Sequence, residues 1–233
     1  MASERASDDL SPAAVLCLFA KPPLPGVAKT RLAAIWGAES SAALARAFLV
    51  DCWSALHCHA WARLVLATTG DLGDVLEVGD ALVWPQGAGD LGERMERVLR
   101  RALEGAPIAI ALGADTPGLP PRLVAEARDL LAAGADAVLG PADDGGFYLL
   151  GLRRCPSGLL SDLPWSAADT MTRTHRRLRE MGMTVELIEP WFDVDLPEDL
   201  HKLSALLARG EIQAPETARI LGRLSLALKG EGP

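Results

Sequence analysis

The sequence predicts a three-layer α/β fold in which helices cover both faces of a mostly parallel sheet. Short apolar runs alternate with amphipathic stretches of roughly 10 to 18 residues, the pattern of strands joined by crossover helices. Two of the apolar runs, VLCLFA at 15–20 and IAIALG at 108–113, contain no polar residue. Strands of a parallel sheet are buried on both faces and read in this way, whereas half-exposed strands alternate.

The elements follow in order along one predicted domain, residues 13–233, behind a polar, acidic leader at 1–12 that is expected to be disordered. Strands are predicted at 14–20, 63–68, 81–84, 108–112, 136–140, 147–152 and 184–188. Helices are predicted at 39–56, 91–103, 122–133, 168–181, 198–208 and 215–226. In such sheets ligands bind beyond the carboxyl ends of the strands, so the loops there hold the candidate site.

The amino-acid composition disfavours some classes of binding partner. The 233 residues carry 23 Lys and Arg against 31 Asp and Glu, a net charge of −8, and 49% are hydrophobic. This acidic balance disfavours nucleic acid and anionic membranes as partners, and no apolar run is long enough for a membrane span. Four cysteines without a C-x-x-C pair do not form a disulfide framework, so we expect a cytoplasmic protein.

The loop after the first strand concentrates positive charge in this acidic chain. It contains three prolines, Gly26, and the cations Lys21, Lys29 and Arg31, with Thr30 between the last two. Glycine allows close backbone approach and the cations supply charge, so the loop can wrap a polyphosphate. It lacks the glycines of a Walker P-loop, and a solvated turn with surface cations remains the alternative.

A second loop, Gly87-Ala-Gly89-Asp90-Leu-Gly92, formally matches the dinucleotide fingerprint G-x-G-x-x-G. The fingerprint normally follows the first strand, however, and here it follows the third. A carboxylate at Asp90 would also repel a pyrophosphate. We therefore favour a turn in which Asp90 caps the helix at 91–103 over an NAD site.

Carboxylates occur at three further loops. Asp115 directly follows a buried strand, where a hard divalent cation could bind it. Asp195 precedes a helix that begins near Pro197, so Asp195 or Leu196 could be a simple N-cap, which leaves Asp193 unexplained. Between Asp115 and Asp195 in the sequence, Asp143-Asp144-Gly-Gly is typical of a hairpin turn. Its two adjacent carboxylates repel each other, and a bound ligand or metal would relieve that repulsion.

These loops together resemble one family, the bacterial nucleotide-diphospho-sugar-transferase-like proteins, which are mostly assigned as glycosyltransferases of radical-enzyme or arsenosugar gene clusters. Five motifs carry the resemblance over about residues 14–207: KPPLPGVAKTRL, GDLGERM, GADTPGL, GPADDGGFYLLGL and DVDLPEDL. The chain is more distantly similar to the phospholactate guanylyltransferases and the molybdenum-cofactor nucleotidyltransferases. The resemblance implies the Rossmann-like GT-A fold.

The resemblance also implies roles for individual residues. Mg²⁺ or Mn²⁺ would be bound by Asp115 and Asp195, and the catalytic group would comprise Lys29, Arg31, Asp115 and Asp144. The nucleotide would be bound by Lys21, Gly26, Lys29, Thr30, Arg31, Gln86, Gly89, Asp90 and Gly92. The acceptor would lie near Asp143, Asp144, Gly145, Gly146, Tyr148 and Trp165. Whether Asp143 or Asp144 acts as a base is left open.

The predicted function is a metal-dependent transferase that uses a nucleotide. Either a small acceptor attacks the α-phosphorus of a nucleoside triphosphate and releases pyrophosphate, or an NDP-sugar donates its sugar and releases NDP. The cationic loop slightly favours the triphosphate, whose larger charge needs more neutralisation. The alternatives are a non-catalytic nucleotide sensor and, on the glycine match, an NAD-dependent oxidoreductase.

Overall fold

The computed structural model describes residues 12–76, 79 and 81–230, with side chains to residue 224. The predicted leader therefore lies outside the described residues apart from Pro12. Within the described part, a seven-stranded sheet has helices on both faces, as the alternating pattern predicts. None of the described helices is both long and apolar enough to cross a lipid bilayer.

The strands have the order β3-β2-β1-β4-β6-β5-β7, and β6 runs antiparallel to both neighbours while the other pairs are parallel. Their bounds are β1 Ala14–Ala20, β2 Ala62–Thr68, β3 Leu82–Pro85, β4 Ala109–Gly113, β5 Ala137–Pro141, β6 Phe147–Leu152 and β7 Val185–Leu187. Each predicted strand is confirmed to within one residue at either end. The apolar runs predicted the strands well because a strand that is buried on both faces has almost no polar residue.

The helices are α1 Thr30–Leu56, α2 Leu91–Leu103, α3 Pro121–Ala132, α4 Thr170–Glu180, α5 Pro197–Ala208 and α6 Pro215–Gly230. Both α3 and α5 begin with proline, which tolerates the first helical position because its missing N–H has no partner there. The start of α1 was predicted nine residues too late. Gly37, at φ 79°, interrupts the helix, and the short segment before it was taken for loop.

Two hydrophobic layers enclose the sheet. On one face Leu49, Trp53 and Leu56 of α1 pack with α3 over β1 and β4. On the other face α2 contributes Met95, Val98 and Leu99, and α4 contributes Leu178. A third cluster joins α1 to α5 and α6. These layers fix the strand ends relative to one another.

The register places the functional loops at one edge. Phe19 of β1 pairs with Gly113 of β4, and Ala20 pairs with Thr68 of β2, so these strands end together. Because β6 runs the other way, the turn at 142–146 between β5 and β6 opens at that same edge. Loops separated by more than a hundred residues therefore face one space.

Candidate functional site

A cleft of about 610 Å³ lies beyond the carboxyl ends of β1, β3 and β4. The first loop, the start of α2, the segment after β4, the β5–β6 turn and the segment before α5 all contribute to its walls. Residues that the sequence predicted and that line this cleft are Lys21, Lys29, Thr30, Arg31, Gln86, Asp90, Asp115, Asp144, Gly146, Tyr148, Trp165 and Asp195.

The charged centre of the cleft is an ammonium between two carboxylates. Nζ of Lys29 lies 2.7 Å from Oδ1 of Asp115 and 2.7 Å from Oδ1 of Asp195. The Lys29 side chain is only 4% exposed, whereas those of Asp115 and Asp195 are 53% and 39% exposed. Lys29 was expected to face phosphate directly, but in this structure its charge is neutralised by the two carboxylates.

Backbone contacts hold the two carboxylates in place. The N–H of Val194 donates to the carbonyl of Asp115 at 2.9 Å, which ties the segment before α5 to the end of β4. Asp199 accepts the N–H groups of Asp195 and Leu196 at 3.0 and 2.7 Å. The N-cap of α5 is Leu196. The carboxylate of Asp195 therefore binds Lys29 and is not the N-cap of α5.

The electrostatics of this centre follow from burial and charge. Burial alone would lower the pKa of Lys29, but the carboxylates of Asp115 and Asp195 outweigh it and raise that pKa. Burial would likewise raise the pKa of Asp195, but the charge and hydrogen bond of Lys29, helped by Arg31, hold it below its usual value. The exposed Arg31 reaches to 4.0 Å from Asp195.

Asp193 is the residue that capping left unexplained, and it also lines the cleft. Partial burial, together with the charges of Asp144 and Asp195, raises the pKa of its carboxyl to about 6. Excess negative charge at this point favours a bound cation or a shared proton. Sequence reasoning left it out of the site because its role depends on neighbours from distant segments.

The donors suit a hard divalent cation that is completed by substrate. Within residues 12–76, 79 and 81–230, no group of three His, Cys, Asp or Glu side chains is arranged to enclose a metal. Mg²⁺ usually takes one or two carboxylates and completes its shell with phosphate oxygens and waters. The half-exposed Asp115 and Asp195 fit that requirement, provided that Lys29 gives up part of its contact with them.

On the side of the cleft near α2, the buried side chain of Gln86 connects two strands to an arginine of α2. Its buried amide donates to the carbonyls of Ala20 and Ala67 at 3.2 and 2.9 Å. Its Oε1 accepts a hydrogen bond from Arg94 at 3.2 Å, and Arg94 faces the cleft. Arg94 was not singled out by the sequence, since a single arginine in an amphipathic helix is ordinary.

The glycine-rich segment 87–92 forms a helix cap. Asp90 accepts the N–H of Glu93 at 2.9 Å, and Glu93 accepts the N–H of Asp90 at 2.9 Å, which is a complete capping box. A Cβ at Gly92 would lie 2.2 Å from the carbonyl oxygen of Leu160, so this glycine serves packing. Gly26, Gly89 and Gly92 are not among the residues that line the cleft, so their role in nucleotide binding stays a prediction.

The β5–β6 turn separates the two adjacent acids. Asp144 accepts the N–H of Gly146 at 2.8 Å and faces the cleft. Asp143 instead binds Lys202 of α5 at 2.7 Å, and of the two acids it is Asp144 that lines the cleft. Gly145 packs against the backbone of Ala168 and does not line the cleft either.

Aromatic side chains form part of the wall of the cleft. Trp165 packs edge to face on Phe147, with ring centroids 6.2 Å apart. Tyr148 is buried and donates its hydroxyl to the carbonyl of Glu189 at 2.8 Å. Because that hydroxyl is already bound, Tyr148 offers the cleft a ring surface rather than a donor. Ser166 lines the cleft beside Trp165, and Thr116 and Thr170, which were not predicted, line it as well.

Comparison with known proteins agrees with this geometry. The family described as "Uncharacterized protein conserved in bacteria (DUF2064)" matches residues 44–167. A phosphoenolpyruvate guanylyltransferase from Conexibacter woesei is 31% identical over 215 residues, which cover 84% of this chain and 91% of the relative.

Solved structures share the fold. A Desulfovibrio desulfuricans G20 protein assigned as a nucleotide-diphospho-sugar transferase superposes with a TM-score of 0.83 at 29% identity, covering 94% of this chain and 98% of its own. A cytidylyltransferase from Leptospira borgpetersenii has a TM-score of 0.56 at 12% identity over 93% of this chain and 95% of its own, a likeness in fold alone. The resemblance carried by the five motifs is confirmed. The chain belongs to the DUF2064 family and is an enzyme of the transferase class, with the fold that nucleotidyltransferases and nucleotide-diphospho-sugar transferases share.

Proposed function

We propose that this enzyme transfers a nucleotidyl group from a nucleoside triphosphate to a small phosphorylated acceptor, with the help of a divalent cation. The observation that carries the proposal is the cluster of Lys29, Asp115 and Asp195 at the strand ends, bordered by the cations Lys21 and Arg31. Carboxylates that hold a cation, next to free positive charge, are what a triphosphate requires.

The chemical step is an in-line displacement. An oxygen of the acceptor phosphate forms a bond to the α-phosphorus, while the bond from that phosphorus to the oxygen bridging to the β-phosphate breaks. The electron pair leaves with pyrophosphate, and no proton needs to move because the acceptor oxygen is already ionised. This chain's task is therefore to align the two substrates and to neutralise charge.

The residues around the cleft divide that task. Asp115 and Asp195 would hold Mg²⁺ or Mn²⁺, which when bound supplies positive charge to the phosphates. Arg31 and Lys21 face the cleft from the exposed loop and would meet the leaving pyrophosphate. Lys29 would shift its contact from carboxylate to phosphate as the cation enters. The acceptor would lie beside Asp144, Gly146 and Trp165.

The guanylyltransferase from Conexibacter woesei supports a triphosphate donor and makes GTP and phosphoenolpyruvate the first substrates to try. Glycosyl transfer from an NDP-sugar is the second candidate, because the structure with the TM-score of 0.83 is assigned to that class. The two reactions release different products. Pyrophosphate marks the first and a nucleoside diphosphate marks the second.

The test is a product assay with each of the four nucleoside triphosphates, phosphoenolpyruvate and either Mg²⁺ or Mn²⁺, in parallel with a panel of NDP-sugars. We expect pyrophosphate and a nucleotidyl adduct, visible by phosphorus NMR, only when cation and acceptor are both present. Asp115→Asn should lower the rate by on the order of 10²–10³. Asp129→Asn, an exposed carboxylate of α3, is the matched control and should keep the rate.

The outcomes separate the hypotheses. Release of NDP without pyrophosphate would replace nucleotidyl by glycosyl transfer. Nucleotide binding without any product would favour the sensor that the sequence left open. Fluorescence titration with NADH tests the oxidoreductase, for which we expect no binding because the glycine segment is occupied in capping α2.

A further inference from the structure

The amide of Gln86 has a fixed orientation. Its Nε2 donates to two carbonyls, Ala20 at the end of β1 and Ala67 in β2, so its Oε1 has to point the other way. The residue is 3% exposed, and its own backbone N–H is bound to the carbonyl of Thr68 at 2.8 Å. Gln86 is thus an immobile acceptor anchored on the ends of two neighbouring strands.

Arg94 is held by that acceptor. Its Nη1 donates to Oε1 of Gln86 at 3.2 Å, and its Nε donates to the carbonyl of Asp90 at 3.1 Å. A guanidinium carries five N–H groups. Two are used here, and within the described residues the second N–H of Nη1 and both of Nη2 have no hydrogen-bond partner. Because Arg94 lines the cleft, N–H groups on both Nη1 and Nη2 remain for a ligand that binds there.

This pair of donors is set apart from the charged centre. Asp115 follows β4, whereas Gln86 is anchored on β1 and β2, and the strand order is β2-β1-β4. Neighbouring strands are about 4.8 Å apart, so β2 and β4 are separated by roughly 10 Å. Phosphates at Asp115 and Asp195 would therefore place the base, rather than the phosphates, over the β2 side of the cleft.

We propose that Arg94, positioned by Gln86, is the residue that selects the base of the nucleotide, and that it selects guanine. This inference rests on the proposed nucleotidyl transfer. Two donors side by side match two acceptors side by side, and guanine offers them as O6 and N7. Adenine presents N7 beside an amino group, which is itself a donor. Adenine would therefore accept only one hydrogen bond from Arg94, and its amino group would face the second N–H of the arginine.

The experiment measures dissociation constants by calorimetry in Mg²⁺ for GTP, ITP, 7-deaza-GTP, ATP and tripolyphosphate. ITP keeps O6 and N7 but lacks the 2-amino group, and 7-deaza-GTP lacks only the N7 acceptor. The wild type should bind GTP and ITP about equally. It should bind ATP and 7-deaza-GTP between about 5-fold and 150-fold more weakly, the range of one bidentate contact to a base.

The variant Arg94→Met keeps the aliphatic length and removes the donors. We expect it to bind GTP, 7-deaza-GTP and ATP with nearly the same affinity, while its affinity for tripolyphosphate stays that of the wild type. Arg100→Met is the matched control on the same helix, where Arg100 contacts Glu96 and does not line the cleft. It should keep the wild-type preference for GTP.

Other results would overturn the inference in distinguishable ways. If Arg94→Met weakens GTP, ATP and tripolyphosphate by one common factor, Arg94 binds phosphate and not the base. If the wild type binds 7-deaza-GTP as tightly as GTP, N7 is not recognised and the assignment fails, although triphosphate binding stands. If the wild type binds none of these ligands, the proposed function itself is refuted.

Discussion

The contacts of Lys29 with Asp115 and Asp195 predict how the free energy of unfolding changes when these carboxylates are removed. Each single variant, Asp115→Asn or Asp195→Asn, leaves the ammonium with one carboxylate 2.7 Å away. Both carboxylates are more than a third exposed, so each loss should cost only about 1 kcal/mol. The double variant leaves an ammonium that is 4% exposed without a carboxylate in direct contact. Such a loss should cost about 3–5 kcal/mol, more than the two single losses together.

The cost in the double variant has a ceiling, because the amine can lose its proton. Neutralising a lysine with an ordinary pKa of 10.5 at pH 7 requires about 5 kcal/mol. Burial without carboxylates lowers the folded-state pKa of Lys29, so above that pKa the unfolded chain holds more protons than the folded one. Stability of the double variant, relative to the wild type, should then rise with pH above that lowered pKa, by up to about 1.4 kcal/mol per pH unit.

The assay is urea unfolding followed by circular dichroism in EDTA at pH 7, 8 and 9 for the wild type, both single variants and the double variant. The double variant Asp129→Asn/Asp169→Asn, which removes two exposed partners of arginines, is the control and should show additive, pH-independent effects. Additive losses without a pH slope in the Asp115/Asp195 double variant would refute the reasoning, since they would mean that the Lys29 ammonium turns out into solvent.

Three further predictions concern single positions. Because the carboxyl pKa of Asp193 is raised to about 6, its ionisation destabilises the fold as pH rises from about 4 to 6. Asp193→Asn should therefore gain about 1–2 kcal/mol over the wild type at pH 7 and nothing at pH 4, by urea titration, and an equal gain at both pH values would contradict this cause. Asp51→Ala removes the acceptor of two N–H groups at the start of α6 and should lower the unfolding free energy by about 0.5–2 kcal/mol, an effect that Asp51→Asn should largely avoid. Gly145→Ala would place a Cβ 2.0 Å from the carbonyl oxygen of Ala168 at a φ of 87°, so we expect a lower melting temperature and altered Trp165 fluorescence, whereas unchanged values for both would show that the turn can shift freely.

The sequence was most informative where one physical requirement dominates. Burial on both faces dictates apolar strands such as β1, and proline dictates where α3 and α5 begin. The capping function of Asp90 could also be predicted, because an N-cap depends on residues only three positions apart. These are local requirements, and a single chain displays them directly.

The site was predicted in part, because its members come from separate segments. Asp115 could be selected from its position after a strand, whereas Asp195 was included through the family resemblance, because its position before a helix also suits an N-cap. Nothing in the sequence shows that Lys29 contacts both carboxylates, since Lys29 and Asp195 are 166 positions apart. Arg94 was missed for the same reason, because its role depends on Gln86, which is anchored on two other strands. Asp143 was included together with Asp144, because adjacent acids look alike until the turn separates them.

The reversed direction of β6 has a consequence for how this molecule can change over evolutionary time. A parallel connection between β5 and β6 would need a crossover of a dozen or more residues packed on a face of the sheet. A hairpin needs no such crossover. Residues can therefore be inserted or deleted at its tip while β6 keeps its pairing with β4 and β5. A change in the length of this turn can therefore reshape one wall of the cleft, while the pairing of β1 with β2 and β4 stays as it is.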